Sequence, residues 1–139
     1  FGATHGVAAG DKAQEEIAAL TGGRGVDYSF EAVGHSTVQE AAYSAIRPGG
    51  ALVIVGVSSK DDQTRVSGLD MHVGEKRIYG SFFGSTDPRR EFPRLLKLYQ
   101  TGQLMVEELI SQRYRLDQIN EGFAEMLKGG FKRGVIIYG

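Results

Sequence analysis

A continuous apolar run, Ala51-Leu52-Val53-Ile54-Val55, constrains the fold of this chain more than any other segment. Glycines border it on both sides, at Gly49-Gly50 and at Gly56. Five apolar residues without alternation predict a strand that is buried on both faces, which is typical of a parallel sheet. Because parallel strands are joined by crossovers, the run also predicts helices on either side of it in the sequence.

The residues before this run are predicted to alternate between strand and helix. They divide into a strand at Thr4–Val7, a helix at Asp11–Leu20, a strand at Val26–Val33, and a helix that Ser36 caps and Pro48-Gly49-Gly50 ends. Strand, helix, strand, helix and strand with short crossovers indicate a doubly wound α/β fold.

The residues after the run continue in the same way. They divide into a polar loop at Ser58–Asp70, a strand at Arg77–Phe83, a helix from Asp87-Pro88 to Gly102, an extended segment at Leu109–Tyr114, a helix from Asp117 to Gly129-Gly130, and a strand at Val135–Tyr138. In open parallel sheets, ligands bind beyond the carboxyl ends of the strands. The candidate positions are therefore Val33-Gly34-His35, Val55-Gly56-Val57 and Ser81 to Gly84. Their glycines would allow a flat ligand to approach closely, or would serve only to make tight turns.

Composition excludes several classes of function. The net charge is −1, which leaves no basic surplus for a nucleic acid. No apolar run approaches the about 18 residues of a membrane span, and no signal peptide is apparent, so we expect a cytoplasmic protein. There is no cysteine, and the three histidines have no metal-ligand spacing. We therefore assign no catalytic residue and no metal site within these 139 residues.

Five segments together resemble one family, the zinc-dependent medium-chain alcohol dehydrogenases, and within it the branch acting on long-chain alcohols and hydroxymethyl-glutathione. The segments are Thr21–Gly34, Ala51–Val57, Tyr79–Gly84, Ile119–Phe123 and Arg133–Ile136. The resemblance implies a C-terminal fragment, with residues 1–84 from the NAD(P)-binding Rossmann domain and residues 85–139 packing a helix and a strand onto the catalytic domain.

The resemblance also implies what this fragment lacks. The first two strands of the Rossmann sheet, its glycine-rich turn and the acidic residue that separates NAD from NADP would precede Phe1, and so would the zinc ligands. We therefore expect NAD as cofactor, with NADP not excluded, and zinc only in the full-length parent. The parent would oxidise an alcohol or reduce an aldehyde, whereas the fragment alone would be inactive.

The family roles carry over to matching positions. The carbonyls of Val55 and Ser81 and the N–H of Phe83 would hold the nicotinamide carboxamide. Val57 and Phe82 would border the substrate. The remaining predicted coenzyme residues are Ala32, Val33 and His35 beside the adenine, Gly34 and Gly56 in the turns, and Arg133 at the pyrophosphate. Arg133 could equally be a solvated charge after a loop.

Two further expectations concern strands. Strand Arg77–Phe82 would be a sheet edge through which a homo-oligomer forms. Thr4–Val7 would either pair directly with Val26–Glu31 or stay apart, while Val26–Glu31, Ala51–Val55 and Arg77–Phe82 would be parallel neighbours. Two other functions remain open: a zinc-independent reductase resembling quinone oxidoreductases, and a non-catalytic dinucleotide-binding module.

Overall fold

The computed structural model describes residues 1–129 and 132–138 of the chain. The chain divides into two compact units, one formed by Gly2–Thr86 and the other by Asp87–Gly139 together with Phe1. The first unit contains α1 (Ala13–Leu20), β1 (Val26–Glu31), α2 (Ser36–Ala45), β2 (Ile46–Ile54), α3 (Gly68–Val73) and β3 (Arg77–Gly80). A short 3-10 turn at Phe83–Ser85 follows β3.

The first unit is built on a parallel sheet with the strand order β1-β2-β3. Val53 of β2 lies opposite Phe30 on one side and opposite Tyr79 on the other. The central position of β2 confirms the interpretation of the apolar run as an interior parallel strand. The predicted neighbour relations of the three strands are also confirmed.

Helix α2 covers one face of this sheet. Its Tyr43 forms a core with Ile46 and with Leu52, whose side chain is fully buried. On the opposite face of β1, Tyr28 and Phe30 are 64% and 68% exposed. The face of β1 that packs against α2 is therefore the one that carries Ser29 and Glu31, and the apolar face of the strand is open within the described chain.

The predicted strand at Thr4–Val7 is wrong. These residues have no regular secondary structure, and of the two arrangements considered, separation from β1 is the one observed. The segment is short, lies between Gly2 and Gly10, and makes no ladder with any described strand. A short extended segment without a partner leaves its backbone groups to water and has no reason to remain a strand.

The predicted end of the second helix is also wrong. Helix α2 ends at Ala45, and Ile46 through Gly50 are already part of β2. The pairing shifts there, since Val26 is opposite Ile46 but Tyr28 is opposite Ala51. Proline has no N–H to donate, and Gly49 takes a φ of 73°, so this extra length forms an irregular start to the strand.

Other bounds differ by smaller amounts. Helix α1 begins at Ala13 rather than at Asp11, and β1 and β3 end at Glu31 and Gly80, before the predicted ends. The predicted Ser58–Asp70 loop contains the start of α3, which Ser67 caps by accepting a hydrogen bond from the Asp70 N–H at 3.2 Å. A single serine before a six-residue helix is too weak a pattern to separate from a polar loop.

The second unit contains α4 (Pro88–Gln100), β4 (Gln112–Arg115), α5 (Ile119–Lys128) and β5 (Gly134–Ile137), with 3-10 turns at Glu107–Leu109 and Leu116–Gln118. As predicted, Asp87 caps α4, and its side chain accepts from the Arg89 N–H at 3.0 Å. The extended segment predicted at Leu109–Tyr114 forms a strand only from Gln112, and it pairs in parallel with β5. Gly130, part of the predicted end of α5, lies outside the described residues.

Tyr114, an aromatic residue of this second unit, is buried. Its hydroxyl donates to Glu125 Oε2 at 2.6 Å, which raises the pKa of Tyr114 to about 12. Gly122 leaves room for the ring, because a Cβ there would lie 3.3 Å from it. Across both units, no helix of the described part of the chain combines the length and the apolar character needed to cross a membrane.

Candidate functional site

The turns that follow β1 and β2 lie in direct backbone contact. A Cβ on Gly34 would be 2.4 Å from the Val57 carbonyl oxygen, and a Cβ on Gly56 would be 2.2 Å from the Gly34 nitrogen. Gly34 also has a φ of 83°, which residues with a side chain rarely adopt. Both glycines are therefore required because the two turns pack closely against each other. This agrees with the interpretation that the glycines serve to make tight turns.

A buried carboxylate organises the turn after β1. Glu31 is only 2% exposed, and its Oε1 accepts from the Val33 N–H at 2.5 Å and from the Gly34 N–H at 2.7 Å. Its backbone carbonyl accepts from the Val55 and Gly56 N–H groups at 2.8 and 3.0 Å. One residue thus binds to the turn after its own strand and to the end of the neighbouring strand.

Gln39 of α2 connects Glu31 to the segment after β2. Its Nε2 donates to Glu31 Oε2 at 3.3 Å and to Ser58 Oγ at 2.8 Å. Its Oε1 accepts from the Thr64 hydroxyl. Gln39 is 4% exposed, so these bonds are formed away from water. The segment that the sequence predicts as a polar loop is in fact held against α2.

Two more contacts secure this segment along α2. The Ser36 N–H donates to Asp62 Oδ2 at 2.8 Å, and the Arg65 N–H donates to Glu40 Oε1 at 2.8 Å. Hydrogen bonds from the Ser36 hydroxyl and N–H lower the pKa of Asp62. The N-cap residue of α2 is His35 rather than the predicted Ser36, and its Nδ1 accepts from the Thr37 N–H at 3.4 Å.

Several backbone polar groups at this edge of the sheet have no hydrogen-bond partner among the described residues. They include the carbonyls of Val55 and Ser81 and the N–H of Phe83. Val55 and Ser81 directly follow β2 and β3, and Phe83 lies two residues after Ser81, so all three belong to the carboxyl edge of the sheet. Such groups need water or a ligand to complete their hydrogen bonds.

Several apolar side chains of these same turns are open to solvent. Val33 is 71% exposed, Val57 is 86% exposed and Phe82 is 78% exposed. Phe83 has a φ of 49°, which is unusual for an aromatic residue, and its ring meets that of Phe82 edge to face with centroids 4.5 Å apart. Ligand sites combine apolar side chains with a few polar groups, and both are present at this edge of the sheet.

The structure places the predicted site residues in two groups. Those from Ala32 to His35, from Val55 to Val57 and from Ser81 to Phe83 all belong to the carboxyl ends of the three parallel strands. Arg133 lies in the other unit, exposed, where its carbonyl accepts from the Ser111 and Gln112 N–H groups at 2.9 and 3.3 Å.

Glu31 and Gln39 are not among the residues that the sequence predicts for this site. One signal was present, because alternation along β1 puts Glu31 on the same face as Ser29, opposite Tyr28 and Phe30. That pattern was consistent with a solvated face. The residues that bury Glu31 come from α2 and the following turn, and no local pattern shows that they do.

The described residues do not fit a zinc ion. No group of three or more histidine, cysteine, aspartate or glutamate side chains comes close enough to hold a metal within the described ranges. The sequence also contains no cysteine.

A parallel three-stranded sheet with helical crossovers is typical of doubly wound α/β proteins, which bind ligands beyond the carboxyl ends of their strands. The family model described as "Zinc-binding dehydrogenase" matches residues 1–101. The chain belongs to that zinc-binding dehydrogenase family.

The relatives and solved structures similar to this chain agree with that family. The chain is 41% identical over 141 aligned residues to the "Putative alcohol dehydrogenase D" of Mycobacterium tuberculosis, covering 99% of this chain and 38% of the relative. It is 38% identical to the "NDMA-dependent alcohol dehydrogenase" of Amycolatopsis methanolica, with the same coverage of 99% and 38%. The chain thus spans well under half the length of these curated relatives.

Two solved structures share the fold. Benzyl alcohol dehydrogenase from Acinetobacter calcoaceticus matches with a TM-score of 0.81 and 26% identity, over 88% of this chain and 33% of that one. A putative zinc-binding dehydrogenase from Sinorhizobium meliloti 1021, bound to NADP, matches with a TM-score of 0.71 and 25% identity, over 83% of this chain and 32% of that one.

Proposed function

We propose that this chain forms the nicotinamide-binding part of an alcohol dehydrogenase that transfers hydride between an alcohol or aldehyde and a nicotinamide coenzyme. The observation that carries this proposal is the set of three unpartnered backbone groups. A primary carboxamide offers two N–H donors and one carbonyl acceptor. The carbonyls of Val55 and Ser81 would accept from its nitrogen, and the Phe83 N–H would donate to its oxygen.

This arrangement would determine which face of the nicotinamide ring meets the substrate. A carboxamide held by three backbone bonds cannot rotate freely, so the ring plane is set by the ends of β2 and β3. Val57 and Phe82 would exclude water from the reacting carbon and border the alcohol. The hydride chemistry itself is supplied by the coenzyme.

The remaining predicted residues would bind the rest of the coenzyme. Val33 would cover one side of the adenine, with Ala32 and His35 beside it, and the backbone contact between Gly34 and Gly56 would keep the site shallow. Arg133 would contact the pyrophosphate, for which a guanidinium fork is well suited. Residues 1–84 would then belong to the coenzyme domain and residues 85–139 to the segment that packs on a catalytic domain.

Zinc, where the full-length protein binds it, would be held by residues outside the described ranges, since these contain no fitting ligand group. NAD is the proposed coenzyme. NADP is a direct alternative because a structural neighbour was solved with NADP bound. One relative is named for dependence on NDMA, so NDMA belongs in the assay as a further acceptor.

The test is alcohol oxidation by the full-length protein, followed by the absorbance of the reduced nicotinamide or by loss of NDMA. Ethanol and benzyl alcohol serve as substrates, with NAD, NADP or NDMA as acceptor. We expect turnover with at least one acceptor and none by the 139-residue chain alone. Coenzyme binding without any turnover would favour a non-catalytic binding module, and quinone reduction that survives removal of zinc would favour the zinc-independent reductase. Either result would contradict the proposal.

We also propose that β3 joins two copies of the protein. Among the described strands β3 pairs only with β2, so its other edge has unpaired backbone groups. Light scattering on the full-length protein should then give an even number of subunits. A monomer at micromolar concentration would contradict this proposal without affecting the coenzyme site.

A further inference from the structure

The buried carboxylate of Glu31 has no part in the proposed chemistry, yet it is the most enclosed polar group near the coenzyme site. It is 2% exposed and makes three hydrogen bonds as an acceptor, from the Val33 N–H, the Gly34 N–H and the Gln39 side chain. Burying a carboxylate is costly unless it is well bonded. Its bonds go mainly to the turn that the coenzyme would touch.

The bonds from the Val33 and Gly34 N–H groups constrain the backbone of the turn from which the Val33 side chain projects. Without an acceptor, these two N–H groups would either remain unpaired, at a cost in free energy, or turn toward water. Turning toward water would reorient the backbone of the turn. Gly34 cannot move alone, because it lies in backbone contact with Val57. One carboxylate therefore sets both apolar residues that would flank the coenzyme.

A second path leads from Glu31 through Gln39. Gln39 donates to both Glu31 and Ser58 and accepts from Thr64, so the segment after β2 is held in place by the same network. Ser58 directly follows Val57 in the sequence. The position of Val57 is thus constrained from the Gly34 side and from the Ser58 side.

From these contacts we infer that Glu31 is a positioning residue for the coenzyme site, and that it holds the turns at Val33–Gly34 and Val57–Ser58 in the form that binds the nicotinamide coenzyme. This inference rests on the proposed function. Glu31 touches no reacting atom and acts only through the backbone amides and Gln39.

The test compares the NADH dissociation constants of three variants of the full-length protein with that of the wild type. Glu31→Met keeps the volume and removes the acceptors. Glu31→Gln keeps an acceptor for the two amides, and the Gln39 amide can flip to receive its new N–H₂ group. Glu40→Met is the matched control, since Glu40 holds Arg65 of the same segment but makes no bond to either turn.

Titrations are made at a temperature at which circular dichroism shows every variant to be folded. We expect Glu31→Met to raise the NADH dissociation constant about tenfold, the size expected when buried donors lose their acceptor. Glu31→Gln and Glu40→Met should stay within about threefold of the wild type, because each keeps the turn's amides bonded.

A role limited to stability would lower the melting temperature of Glu31→Met and leave its dissociation constant unchanged, which would overturn the inference. An equal loss in Glu31→Gln would assign the effect to charge and would also overturn it. If wild type itself does not bind NADH or NADPH, the proposed function fails and the inference with it. If the wild type binds NADH and every variant has the same dissociation constant, only the inference about Glu31 is contradicted.

If Glu31→Met does not fold, Gln39→Met provides the test. It keeps the bonds from Val33 and Gly34 to Glu31 and releases Ser58 and Thr64. We expect the NADH dissociation constant to rise by about threefold or more relative to Glu40→Met, from loss of side-chain hydrogen bonds alone. A constant equal to that of Glu40→Met would overturn the inference.

Discussion

Strand β1 carries an acid at each end of its Ser29 face, and the two have opposite surroundings. Asp27 is about half exposed and forms ion pairs with Arg47 at 2.6 Å and with Arg24 at 3.0 Å. Glu31, four residues later, is buried and bonds to backbone amides and Gln39 instead of to a cation. The same residue class therefore forms surface ion pairs at the amino end and orders the backbone of a turn at the carboxyl end.

The difference follows from what each strand end meets. At the amino end, Arg24 of the preceding turn and Arg47 of β2 form direct ion pairs with Asp27 at the protein surface. At the carboxyl end, the turn after β1 folds back over Glu31 and the segment after β2 crosses α2. Ligand sites of parallel sheets form at carboxyl ends, where such turns diverge from the strands.

The largest expected effect comes from a substitution that places a methyl group in the backbone contact between the two turns at the carboxyl end of the sheet. Gly56→Ala would place a methyl group 2.2 Å from the Gly34 nitrogen, a backbone atom that cannot move aside cheaply. We expect the free energy of unfolding to fall by about 3 kcal/mol or more, as for severe overpacking.

The control for this variant is Gly68→Ala at the start of α3, where a Cβ would meet nothing within 4 Å. Urea unfolding curves of both variants give the two free energies of unfolding to be compared. A Gly56→Ala protein as stable as Gly68→Ala would show that the two turns are not in the described contact.

A smaller effect, on binding rather than on folding, is expected at Val33. Because Val33 is 71% exposed, Val33→Asp should change stability little. A carboxylate beside an apolar ring should weaken coenzyme binding about tenfold. Calorimetric titration of the full-length protein with NADH measures this change, and Val33→Thr is the matched control of similar volume. Equal affinity in both variants would place the adenine elsewhere.

Acid should affect the carboxyl end through Asp62. The pKa of Asp62 is lowered below its ordinary value of 3.8 by hydrogen bonds from Ser36. Its contribution to stability is thus fully present above about pH 3.8 and is lost as the pH falls through the lower, folded-state pKa. Asp62→Asn should make the free energy of unfolding less dependent on pH in this acid range. An unchanged slope would exclude the contact.

The smallest effect is expected at the amino end. Arg47 and Arg24 lower the pKa of Asp27, but all three side chains are exposed enough for salt to screen them. Asp27→Asn should lower the melting temperature slightly in low salt and not at about 1 M salt. Coenzyme affinity should not change at all. A change in NADH affinity in this variant would break the contrast between the two ends of β1.

The sequence was informative where one segment determines its own environment. The five apolar residues from Ala51 to Val55 predict a strand buried on both faces, and β2, which contains the first four of them, is central in the sheet. The helical crossovers and the parallel order follow from it. The extended start of β2 at Ile46 was not predictable, since proline and two glycines there are typical of a turn.

The site was predictable only in part, for a related reason. Turn glycines and strand ends can be located from local patterns, and the turns at Val33–His35 and Val55–Val57 do lie in backbone contact at one edge of the sheet. Their role in binding a coenzyme stays a prediction. Glu31 and Gln39 are eight residues apart, and Gln39 and Thr64 are 25 apart. Contacts of this kind depend on the packing of α2, which the sequence pattern does not specify in detail.

The most direct test of the account is a crystal structure of the full-length protein with NAD or NADP bound. The account predicts that the carboxamide nitrogen lies within hydrogen-bond distance of the Val55 and Ser81 carbonyls, and its oxygen within that distance of the Phe83 N–H. A coenzyme bound at the amino ends of the strands, near Asp27 and Arg77, or one whose carboxamide makes none of these three bonds, would contradict it.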